Sequence, residues 1–150
     1  MGNYYGRYER TLDERGRLQL PSKLFGNALP KSFFALKGFE GCISIYEKTA
    51  FDSLLSELSQ KSYLVKNNRS FIRATLDSVK ELEVDAHGRI TISKDLSERY
   101  EIKSAVVVLG VIDHFEIWDQ EKYEAYLKDA KANYEQLAEE MGGNDNARTF

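Results

Sequence analysis

The stretch Thr11–Leu24, "TLDERGRLQLPSKL", sets Asp13 four residues before Arg17, with Arg15 and Gly16 between them. Glu83–Leu96, "EVDAHGRITISKDL", repeats the order with Asp85, Gly88 and Arg89. A guanidinium is a planar fork of donors that suits paired acceptors, whether phosphate oxygens or the O6/N7 edge of guanine. The intervening residues form a three-residue loop, whose last position commonly needs a left-handed backbone, and Gly16 and Gly88 supply it. Asp13 would then sit across the ladder from Arg17, and Asp85 from Arg89. Two compatible readings follow. The Asp–Arg pairs staple hairpins, at about 0–1 kcal/mol for an exposed pair, or the first turn delivers Arg15 and Arg17 to a nucleic acid while Asp13 aims the arginine. A two-stranded ribbon fits the major groove.

Other chemistries lack their parts. His87 lies in a turn and His114 before a strand, and neither stands in a Cys/His spacing of zinc type, so no metal ligand is assigned. Ser22, Ser44 and Ser93 have no His–Asp companions, and no Gly-rich phosphate loop occurs. No catalytic residue and no cofactor is expected, and the chain reads as a non-enzyme. Trp118 and Tyr46 read as core or subunit contacts rather than base-stacking platforms. Lys66, Arg69 and Arg73 make either a basic stripe or a solvated helix face.

The elements that must position the arginines come in two copies. The Asp13 and Asp85 turns are 72 residues apart, and the same offset lays "ISIYEKTAF" (43–51) over "FEIWDQEKY" (115–123) and Gly38 over Gly110. A repeat held without gaps over such a span is an internal duplication. Each copy reads as strand, tight turn and strand ("YERTLD…RLQL", "KELEVD…RITI"), then a helical turn opened by Pro21 or Ser93. An apolar strand ended by Gly38 or Gly110, a hairpin, a short strand and a helix from Thr49 or Asp119 complete it. Repeat one spans 3–60 and repeat two 77–141, joined by a linking helix at 61–76. Tyr123, Leu127, Ala130, Tyr134, Leu137 and Met141 suggest one long C-terminal helix, and 142–150 a flexible tail. The expectation is one compact domain of mixed β structure with short helices.

Composition agrees with a globular chain: 150 residues, 42% hydrophobic and 30% charged. No apolar run approaches the roughly 20 residues that cross a bilayer, and Cys42 alone excludes an internal disulfide. The net charge of −3 disguises an uneven distribution. Residues 61–80 carry five cations against Asp77, whereas 119–141 carry three lysines against seven acids. A positive face on an acidic protein permits a polyanionic partner.

"YYGRYERTLDERGRLQLPSKL", "VDAHGRITI" and "VVLGVIDHFEIWDQEKYEAY" together resemble the MraZ family over about residues 3 to 141. The resemblance implies an internally duplicated AbrB-like fold, a double-split, swapped-hairpin β-barrel related to the AbrB/SpoVT family. It further implies a cytoplasmic, nucleoid-associated transcriptional regulator of the division and cell-wall gene cluster. Its partners would be double-stranded DNA, read at G-rich direct repeats, and further copies of itself in a ring, with no membrane or small-molecule substrate. Arg15, Arg17 and Arg89 would then be DNA-binding, with Arg7, Arg10, Lys23 and His87 as secondary contacts and Asp13, Gly16, Asp85 and Gly88 orienting the turns. Ala86-His87 replaces Glu14-Arg15 in the second copy, so the first turn is expected to be the stronger reader. The alternatives are an AbrB-like antitoxin and a structural ring protein that does not bind DNA.

Overall fold

The computed structural model describes residues 3–26 and 28–145. Two compact units divide the chain, Met1–Asp119 and Gln120–Phe150. The first unit contains strands β1 (Tyr4–Thr11), β2 (Arg17–Gln19), β3 (Ser32–Lys37), β4 (Ile43–Tyr46), β5 (Lys80–Glu83), β6 (Arg89–Thr91), β7 (Ala105–Ile112) and β8 (His114–Asp119). Its helices are α1 (Ser22–Phe25), α2 (Lys48–Ser59), α3 (Lys66–Asp77) and α4 (Lys94–Arg99).

Six strands form an antiparallel sheet in the order β1-β7-β8-β4-β3-β5, and β2 pairs with β6 in a separate two-stranded ribbon. The 72-residue offset places β1 on β5, β3 on β7, β4 on β8 and β2 on β6. The order therefore reads the same from either edge, so the duplication is written into the sheet as a pseudo-two-fold axis between β4 and β8. In the ribbon Leu18 lies opposite Ile90, its own equivalent, so the axis crosses there too.

This topology corrects the hairpin expectation. β1 pairs not with β2 but with β7, from Tyr4 opposite Ile112 to Thr11 opposite Ala105. β5 likewise pairs with β3. Each Asp-to-Arg turn closes locally, Asp13 N–H donating to the Arg17 carbonyl at 3.1 Å and Asp85 N–H to that of Arg89 at 2.9 Å. Beyond that bond the strands part, each to the other half of the chain.

Alternation decides which side chains meet. Phe33, Ala35, Ile43, Ile45, Val106, Val108, Phe115 and Ile117 turn to one face, where the ribbon's Leu18, Leu20, Ile90 and Ile92 close over them in the main core. Phe25, Phe33 and Phe115 meet there at 5.3–5.7 Å between ring centres. Such aromatic pairs add about 0.5–1.5 kcal/mol each beyond area burial. Leu36 and Tyr46 turn to the opposite face and receive Ala50 and Phe51 of α2, with Phe51 stacked on Phe34 at 4.4 Å. Strands covered on both faces explain the nearly continuous apolar runs in β3, β4 and β7.

The halves differ where function and packing ask it. β5 is four residues long against eight for β1 because the equivalent chain is still the end of α3 at 76–77 and the turn leaving it at 78–79, and Ser78 fastens that junction. Its hydroxyl donates to the Thr75 carbonyl at 2.6 Å and accepts from Lys37 N–H at 2.9 Å. Gly110 does not end a strand as expected but lies inside β7 opposite Gly6; a Cβ there would strike the Tyr5 backbone nitrogen. Gly38 does follow β3.

The second unit consists of α5 (Gln120–Ala132) and α6 (Tyr134–Asp145), not one continuous helix. The break falls at Asn133, whose backbone N–H and side-chain Nδ2 both turn to the Asp129 carbonyl, at 3.3 and 3.0 Å. A side-chain amide competing for backbone acceptors weakens a helix at that point. α6 takes in Gly142–Asp145, the beginning of the expected tail; residues 146–150 lie outside the described residues. Among the described residues, no helix is long and apolar enough to cross a membrane.

Candidate nucleic-acid interface

In both turns one carboxylate organises the whole loop. Asp13 Oδ1 accepts the backbone N–H groups of Arg15 (2.9 Å) and Arg17 (2.8 Å), while Oδ2 accepts Arg17 Nε at 2.6 Å. Asp85 repeats this with His87 N–H (2.9 Å), Arg89 N–H (3.0 Å) and Arg89 Nε (2.9 Å). The Arg17 N–H bond is the largest cause holding the Asp13 carboxyl below its ordinary value, and Arg89 N–H does the same for Asp85. Both carboxylates stay ionised at neutral pH.

Only Nε of each arginine is taken. Among the described residues no acceptor holds the Nη groups of Arg17 or Arg89, whose side chains are 31% and 24% exposed. The carboxylate thus fixes the direction of the guanidinium and leaves its outer donors for something else.

Register brings the two arginines together. Arg17 lies opposite Thr91 and Arg89 opposite Gln19, so all four residues share the ribbon face that Leu18 and Ile90 do not. Arg17 and Arg89 are diagonal neighbours, about 7–8 Å apart at the backbone. Gln19 Nε2 donates to the His87 carbonyl at 2.9 Å and the Gly88 carbonyl at 3.3 Å, clamping the second turn to the first half's strand. The turn glycines complete the interlock: Ile92 N–H donates to Gly16 O at 2.7 Å and Leu20 N–H to Gly88 O at 3.2 Å. Gly16 and Gly88 both take φ +77°, as the loop geometry required.

Arg15 and His87 stand exposed at the two tips, and Lys23 is exposed on α1. Arg7 and Arg10 belong to β1, outside the ribbon. Arg7 lies 3.2 Å from Glu9, and Arg10 sits over the Tyr8 ring while donating to the Glu9 carbonyl. Gln19 and Thr91 join the face without having been singled out in the sequence, although the repeat offset pairs them with each other. The basic stripe of α3 has a different use. Arg69 donates to the carbonyls of Tyr63 (3.1 Å) and Leu64 (3.0 Å), and Arg73 to the Tyr63 hydroxyl (3.1 Å), so both pin the loop that precedes the helix. Trp118 and Tyr46 are buried.

Titratable groups elsewhere are structural. Burial pushes the Cys42 thiol well above its ordinary value and the Tyr46 hydroxyl up to about 12. His114 stacks on Tyr46 and meets Asp113 at 2.7 Å. Among the described residues no group of three or more His, Cys, Asp or Glu could hold a metal ion.

A family model described as "MraZ protein, putative antitoxin-like" matches twice, over residues 4–74 and 76–145. The two matches begin 72 residues apart and fall one on each half of the pseudo-symmetric body. The chain belongs to the MraZ family. Its relatives include proteins named "Transcriptional regulator MraZ" along nearly their full lengths. That of Christiangramia forsetii is 36% identical, covering 97% of this chain and 96% of the relative. That of Ligilactobacillus salivarius is 34% identical over 92% and 96%. That of Finegoldia magna is 32% identical over 95% and 99%. The MraZ match thus takes in both turns and the ribbon.

Proposed function

We propose that this chain is a sequence-specific, DNA-binding transcriptional regulator that reads the major groove with the outer face of the β2–β6 ribbon. The observation that carries this is the convergence of Arg17 and Arg89 on one exposed face, each aimed by an aspartate through Nε with its Nη donors open. A two-stranded ribbon is narrow enough to enter that groove, and a bidentate Arg–guanine contact contributes about 1–3 kcal/mol of base discrimination. Arg15 and His87 lie at the tips, placed for phosphate, with Lys23, Arg7 and Arg10 farther out along the chain. The interlocked halves support the AbrB-like swapped-hairpin architecture that the family resemblance implies.

The same resemblance supplies the finer target, G-rich direct repeats ahead of a division and cell-wall gene cluster, in a cytoplasmic, nucleoid-associated protein. One ribbon makes few phosphate contacts, so a lone site is bound weakly and with strong salt dependence. Copies arranged in a ring raise the effective concentration of each next ribbon, and repeats spaced near one helical turn, about 10 bp, place like grooves on one side of the duplex. A mobility-shift titration on the DNA upstream of the gene tests the reading. A shift on the native repeats that disappears when they are scrambled is expected; equal shifts on both would refute sequence-specific reading.

A further inference from the structure

Beside the first turn lies an open cleft of about 390 Å³ that both halves of the chain build. Glu14 and Arg15 enter it from the turn, Lys94 and Ser97 from α4, and Lys103 and Ser104 from the segment leading into β7. Arg15 and Lys94 are exposed, and among the described residues neither side chain has a carboxylate partner. Asp13 also lines the cleft, but both its oxygens are bonded within the turn. Arg15 and Lys94, with Ser97 and Ser104 beside them in a hollow that Leu12 and Ile92 also line, offer an oxyanion charge-assisted hydrogen bonds.

We propose that this cleft seats a backbone phosphate of the duplex, with Lys94 and Arg15 as its main contacts. The inference rests on the DNA-binding reading above and adds a residue, Lys94, that lies 77 positions from Arg17 in sequence. The seat is present once. The 72-residue offset puts His87 where Arg15 stands, Ser22 where Lys94 stands and Phe25 where Ser97 stands; only Lys103 keeps its charge, as Lys31. A body whose fold is nearly two-fold symmetric therefore grips phosphate more strongly at the Arg17 end of its ribbon. The symmetry that would let it lie either way round on DNA is broken, and each chain takes one orientation along the duplex.

Fluorescence-anisotropy titrations of the full chain on a repeat-bearing and a scrambled duplex, at several salt concentrations, test this. Lys94→Ala should weaken both duplexes by the same factor, about tenfold, and make the salt slope shallower by about 0.9, with an unchanged melting curve. Glu14→Gln should tighten both. Lys48→Ala, an equal charge change on α2 across the sheet from the ribbon, should leave affinity and slope alone. Wild-type affinity and slope in Lys94→Ala, alongside lost repeat preference in Arg17→Ala, overturn the phosphate seat and leave the DNA-binding reading standing. Equal losses in Lys94→Ala and Lys48→Ala also overturn it, as a mere net-charge effect. A wild-type chain that binds neither duplex overturns both.

Discussion

Asp13 and Asp85 use both oxygens inside their own turns, and that use has a pH signature. Each carboxyl is held below its ordinary 3.8, chiefly by the backbone N–H of the arginine four residues on. A depressed folded-state value means that the unfolded chain takes up protons first as the pH falls. The contribution of these turns is fully present above 3.8 and is lost as the pH drops through the lowered value. Carbon-detected titration of the two carboxyls should show them ionised throughout the pH range 5–7, with no opening of the turns. The glycines separate more sharply. Both sit at φ +77°, so alanine strains either turn, but at Gly16 the new Cβ meets the Ile92 carbonyl oxygen, which is backbone. At Gly88 it meets the ends of Gln19 and Leu29 at 3.3 Å, which can give way. Gly16→Ala should therefore lower the melting temperature more than Gly88→Ala; the reverse order would contradict the interlock drawn between Gly16 and Ile92. The aspartates, arginines and turn glycines were all legible in sequence, because an Asp-to-Arg spacing around a glycine is a local property of the chain.

The strands that carry those residues were legible as strands but not as partners. Local alternation says which side chains share a face; it does not say which strand lies alongside. β2 and β6 are three residues each, too short to prefer a neighbour by pattern, and a tight turn naturally suggests that the strands it joins pair together. Here tertiary packing overrides that expectation, since crossing the halves lets Leu18 and Ile90 cover the main core together, both fully buried. Truncating either, as Leu18→Ala or Ile90→Ala, should cost about 2–5 kcal/mol in chemical denaturation. Because the ribbon is shared, either change should disturb both arginines. A loss of DNA binding confined to one turn's contacts would show that the two turns act independently. The break at Asn133 was hidden for a related reason: the three-and-four spacing continues from Tyr123 to Met141 across it, while the competing hydrogen bond to Asp129 leaves no mark in the apolar pattern.

At the scale of the whole molecule the duplication was the most legible feature, and the offset of 72 predicts the palindromic strand order once the sheet is known. Two turns arrive on one face because the pseudo-two-fold axis runs through the ribbon, which brings Arg17 and Arg89, far apart in sequence, onto one surface. The proposed ring extends that logic from two turns to many. Size-exclusion chromatography with light scattering should report a closed oligomer of fixed mass, whereas a monomer at micromolar concentration would remove multiplicity from the account. The claim on which the rest depends is that the ribbon's outer face is the surface that meets DNA. An anisotropy titration of the repeat-bearing duplex with the wild type and with Arg17→Ala/Arg89→Ala, at one moderate salt concentration, tests it most directly. The double variant should melt like the wild type and lose its preference for the repeats over scrambled DNA; undiminished repeat binding by a folded double variant would place the interface elsewhere.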